Sequence, residues 1–91
     1  MNTAEMKAWR EAAGQTQTAI ATMMGLGLRS YQDIEAAEGE VKGRHVAALE
    51  RASLRLAVEG KNLNIALPAV RRDALAYAEL FTGLVGLTPP R

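Results

Sequence analysis

The stretch "TQTAIATMMGLGLRSYQDIEAAEG", Thr16 to Gly39, decides the reading of this chain. Two helical patterns lie in it, separated only by Gly25-Leu26-Gly27. In the first, Thr16 is a natural N-cap, Ile20, Met23 and Met24 are apolar at helical spacing, and Gly25 can take the left-handed conformation that closes a helix. The second, expected over Leu28–Glu38, turns Tyr31 and Ile34 toward a core and leaves Arg29, Gln32, Asp33 and Ala36 pointing elsewhere. Gly39 is its terminator. So short a connection forces the two helices to cross steeply, which needs a small residue at their closest approach. Ala21 supplies it.

Working outward, Ala, Leu, Met, Glu, Arg and Gln dominate the chain, all good helix formers. A first helix is expected over Thr3–Ala13, with Thr3 as N-cap, Met6, Trp9, Arg10 and Ala13 on one face, and Gly14 as its stop. A fourth is expected over Arg44–Glu59, with Val46, Leu49, Ala52 and Leu56 inward and Gly60 after it. The segment "KNLNIALP", Lys61 to Pro68, alternates Leu63, Ile65 and Leu67 with polar or small residues, which suits a short strand or an extended linker over 62–67. Pro68 is placed to open a fifth helix, "PAVRRDALAYAELFTG", carrying Val70, Ala74, Tyr77 or Ala78, and Phe81 along one side. The end, "GLTPPR", is expected to fray. The expected fold is all-α, with five helices.

Composition narrows the function. Ninety-one residues make one small domain, or a domain with an accessory element, and 48% of them are apolar. Without cysteine there are no disulfides, thiolate metal sites or cysteine nucleophiles. His45 is the only histidine and has no acidic cluster at ligand spacing, so no metal or cofactor is expected, and His45 reads as a capping or surface residue. Ser53 and Thr82 have no attendant base, so nothing points to an enzyme. Met6, Met23 and Met24 read as core filling, and Trp9 as packing in or beside the core. No run resembles a signal peptide or a membrane span, and a cytoplasmic protein is the default expectation.

The net charge of +1 conceals an asymmetry: residues 1–60 hold seven Lys/Arg against eight acids, and residues 61–91 hold four against two. The half with the paired helices is therefore near neutral, which counts against strong non-specific binding to nucleic acid.

The run Gln17, Ala21, Gly25, Leu26, Tyr31, Ile34, Glu35 resembles the helix-turn-helix of phage repressors, Cro proteins and Xre-type regulators. The resemblance covers roughly residues 3–57. It departs at Gly27, where Ser or Thr is usual, and at Ala36-Ala37, which suggests a third helix about two residues longer than the family's. The resemblance implies a DNA-binding domain over 1–60, of the lambda-repressor-like kind, followed by a dimerisation segment over 61–91. It implies that the third helix enters the major groove, with Leu28, Arg29, Gln32 and Asp33 at base edges. Arginine suits guanine, glutamine adenine, and leucine a thymine methyl; Asp33 can accept from cytosine or orient Arg29 across one helical turn. Phosphate contacts fall to Gln17, Ser30, Lys42 and Arg44. Arg10 of the first helix and Glu35 of the third stand where the family places a structural ion pair.

The implied partner is double-stranded DNA carrying a pseudo-palindromic operator, bound by a homodimer. Leu63, Ile65, Leu67, Val70, Tyr77 and Phe81 exceed what a four-helix core needs and are the expected dimer interface, the alternative being that the fifth helix folds back on its own domain as an ordinary fifth element. Two other classes stay open. One is an autoregulating antitoxin, binding a toxin through residues 61–91. The other is a helical interaction module that has lost DNA binding.

Overall fold

A computed structural model describes residues 1–83. They form α1 (Thr3–Ala12), α2 (Gln17–Met24), α3 (Leu28–Ala36), α4 (Gly43–Glu59), a single 3-10 turn (Leu63–Ile65) and α5 (Pro68–Gly83). The fold is all-α, as expected. The tail from Gly86 to Arg91 lies outside the described residues.

Each helix starts and stops for a local reason. The N-cap of α1 is Asn2 rather than Thr3: its Oδ1 accepts from the Glu5 amide at 2.8 Å, and the Glu5 side chain accepts from the Asn2 amide at 3.4 Å. This reciprocal box satisfies donors that a helix start otherwise leaves open. Thr16 caps α2, accepting from the Ala19 amide at 3.0 Å. Gly25 closes α2 at φ 74°, a conformation that a side chain penalises. The Leu26 amide then donates to the Ala21 carbonyl at 2.8 Å, and α3 begins at once after Gly27.

α3 stops at Ala36, two residues short of the expected Glu38. The segment after it is captured instead. The Thr3 amide donates to Gly39 O at 3.0 Å and the Val41 amide to Met1 O at 2.9 Å, making an isolated antiparallel bridge between Asn2 and Glu40. Gly39, at φ 116°, allows the chain to turn into that bridge.

The core gathers Met6, Ile20, Ala21, Tyr31, Val41, Leu49 and Leu67, with Trp9, Met23, Met24, Leu26, Ile34, Val46, Leu56 and Val70 packed against it. Ala21 is 1% exposed, buried with Ile20 on the inner side of α2.

Residues 62–67 correct the sequence reading twice. They form a 3-10 turn and no strand. Lys61 reverses the chain at φ 51°, and the Asn62 side chain accepts from the Asn64 amide at 3.0 Å, tightening a local turn that competes with extended pairing. Nor does the segment stand apart from residues 1–60. Leu67 is 5% exposed within the core, so it serves the monomer and not a dimer interface. Two hydrogen bonds hold the connection: Trp9 Nε1 donates to Ile65 O at 2.8 Å, and the Leu67 amide donates to the buried Ser53 hydroxyl at 3.1 Å. Val70 likewise packs on the core, and Ile65 is half-buried. Of the expected interface residues, Leu63 and Tyr77 remain exposed and Phe81 is partly covered.

No helix among the described residues is long and apolar enough to cross a membrane.

Candidate nucleic-acid interface

The arrangement around α3 is built from Glu35 outward. Arg10 projects from α1 and meets Glu35 in a two-pronged contact, Nε to Oε2 at 2.7 Å and Nη2 to Oε1 at 3.1 Å. Both side chains are withdrawn from solvent, at 11% and 4% exposure. Two more donors complete the carboxylate. The Tyr31 hydroxyl donates to Oε2, and Gln17 Nε2 donates to Oε1 at 3.2 Å. Each oxygen therefore accepts two hydrogen bonds, the full capacity of an ionised carboxylate. Arg10 spends a further N–H on the Gln15 carbonyl at 2.9 Å, tying the α1–α2 loop to the same centre.

The electrostatics follow from this packing. Burial alone pushes the Glu35 carboxyl upward, but hydrogen bonds from Arg10, Tyr31 and Gln17 outweigh it and hold the group below the usual carboxylate range. The Glu35 hydrogen bond raises the Arg10 guanidinium further above its already high value. Burial, then the hydrogen bond to Glu35, pushes the Tyr31 hydroxyl well above the ordinary tyrosine range. The charged pair and the neutral phenol are thus one mutually stabilised state.

A second layer starts at Gln17, the first residue of α2. With its Nε2 committed to Glu35, its Oε1 accepts from Gln32 Nε2 at 3.2 Å. Gln32 consequently leans toward α2, at a polar cleft shared with Lys7, Gln17, Glu35 and Ala36. Leu28, Arg29 and Asp33 occupy the outward side of α3. Leu28 is 41% exposed, and Arg29 Nε donates to Asp33 Oδ1 at 3.3 Å between largely exposed side chains. Ser30 is exposed on the same first turn.

Lys42 and Arg44 lie at the start of α4, both exposed, with His45 half-buried beside them. Lys42 and His45 line a cleft with Asp33, Ile34 and Glu40, which brings the α4 start up to the flank of α3. Burial, then the charges of Arg44 and Lys42, lower the His45 pKa.

The structure thus brings together Arg10 with Glu35, Gln17 with Gln32, Arg29 with Asp33, and Lys42 with the Asp33 flank. Three contributors escaped the sequence reading. The Tyr31 hydroxyl is one, since its ring was fully accounted for as core. Ser53 is another, buried as a hydrogen-bonding anchor on an apolar helix face. The third is Asn2, whose Asn-x-x-Glu pattern with Glu5 does carry a capping-box signal.

Compared with known proteins, the chain matches no family model, no curated protein and no solved structure.

Proposed function

We propose that the chain is a sequence-specific DNA-binding regulator, a cytoplasmic dimeric repressor of the phage or mobile-element kind, that reads the major groove with α3. One observation carries this reading. The inner side of α3 is pinned by the saturated Arg10–Glu35–Tyr31–Gln17 centre, while its outer side presents Leu28, Arg29 and Asp33 with no packing duty. A site that reads base edges needs such a rigid support beneath solvent-facing side chains.

In this reading Leu28, Arg29 and Asp33 meet base edges. Gln32 acts with Gln17 at the strand backbone, joined there by Ser30, Lys42 and Arg44. The near balance of charge over residues 1–60 implies modest non-specific affinity and a shallow salt dependence. A second copy supplies the other half-site, about 34 Å away along the duplex. The surface offered to that copy is the exposed apolar side of α5, where Tyr77 and Leu80 are 62% and 61% exposed. Tyr77 and Phe81 stack edge to face there, with ring centroids 5.1 Å apart.

Selection of binding sites from random duplex DNA tests the proposal. Enrichment of a two-fold related motif is the expected result; a pool that stays random through successive rounds would contradict it.

A further inference from the structure

We infer that Asp33 is a specificity-determining residue that acts through Arg29, so that the two side chains read a guanine with a cytosine amino group beside it as one unit. The inference rests on the DNA-binding reading above and adds to it the base chemistry that the site selects.

Three features of the pair lead there. First, Asp33 does not hold the fold together. Its side chain is 69% exposed, and among the described residues its one hydrogen-bond or ion-pair partner is Arg29. An exposed ion pair one helical turn apart adds little to folding in open water, so stability does not explain the carboxylate. Second, the contact uses Nε of Arg29, the side of the guanidinium. Nη1 and Nη2 are left as a fork at its tip, the edge that matches guanine O6 and N7. Third, the carboxylate sits where a DNA ligand would place negative charge. An arginine on a flexible stem beside a duplex is drawn to phosphate, which carries no sequence information. Asp33 competes with phosphate for Arg29 and keeps the fork over the groove.

Asp33 also selects on its own account. A carboxylate in the major groove is repelled by guanine O6 and N7, adenine N7 and thymine O4, and accepts from an exocyclic amino group. Cytosine N4 offers this donor next to the guanine acceptors on a G·C pair. Where no amino group lies within reach, the cost of Asp33 lowers non-specific affinity, in keeping with the charge balance of residues 1–60. Discrimination comes partly from what the pair refuses.

The test measures wild type, Asp33→Ala, Arg29→Ala and the double variant on the selected site, on that site altered at its guanine or cytosine, and on random duplex. Thermal unfolding of each variant is followed in parallel. Asp33→Ala should bind random duplex several-fold more tightly and lose about tenfold of the preference for the selected site, with its melting temperature unchanged. In the Arg29→Ala background the same change should lower the preference much less than in the wild type, since only the direct contact of Asp33 with the cytosine amino group is then left to lose. An Asp33→Ala protein with the wild-type preference ratio, or one weakened equally on every duplex, would overturn the inference while leaving the DNA reading intact. A wild type that enriches no motif overturns both.

Discussion

Arg10 and Glu35 meet through two parallel hydrogen bonds, at 2.7 Å and 3.1 Å, across the gap between α1 and α3. Every lone pair of the Glu35 carboxylate is engaged, by Arg10, Tyr31 and Gln17 together. The outward aim of α3 depends on this one centre. Losing either charge strands the other, nearly desolvated, so Arg10→Ala or Glu35→Ala should each cost about 3–5 kcal/mol in chemical unfolding. Arg10→Met with Glu35→Leu should cost less than either. A double variant as unstable as the sum of the singles would show that the residues act independently.

The same centre sets a pH dependence with two limbs. Folding lowers the Glu35 pKa, so the unfolded chain binds more protons and stability falls as acid carries the pH down through the carboxylate range. Folding raises the Tyr31 pKa, so stability is complete below the ordinary tyrosine value of about 10 and declines as the pH rises above it. Tyr31→Phe should remove most of the alkaline limb. Melting curves from acid to alkaline pH check both, and an alkaline limb unchanged in Tyr31→Phe would assign it elsewhere.

The connection to α5 belongs to the monomer. Leu67→Ala should cost about 2–5 kcal/mol, as for other buried leucines. Truncation after Gly60 removes Leu67 and Val70 from the core and should leave a strongly destabilised or unfolded fragment. A truncated chain that melts like the full one would restore a domain boundary there.

Farther along α5 the expectation reverses. Tyr77→Glu and Leu80→Glu alter exposed positions and should change folding stability by no more than about 0.5 kcal/mol. With α5 as the proposed dimer surface, sedimentation should nevertheless show monomers in place of the dimer proposed for the wild type. A wild-type chain that sediments as a monomer at DNA-binding concentrations would remove α5 from the proposed interface.

Much of this was legible in the sequence because it is local. Gly25 had to close α2, Ala21 had to face inward, and Glu35 lay one turn beyond Tyr31 on the inner side of α3. The Arg10–Glu35 pair came through family resemblance and is present with both prongs. Residues 62–67 were not legible. Three alternating apolar residues fit a strand and a 3-10 turn alike, and the outcome depended on Lys61, Asn62 and two distant anchors, Trp9 and Ser53. Gln32 was equally opaque. Whether it faces a groove or Gln17 depends on how far α3 is rotated against α2, and helical period does not fix that angle.

The most direct test of α3 as the reading element is the affinity of Arg29→Ala for the selected duplex and for random duplex at one salt concentration. A loss of about 1–3 kcal/mol on the selected site, with random binding nearly unchanged, is the predicted result. Equal losses on both duplexes, or full retention of specific affinity, would contradict it.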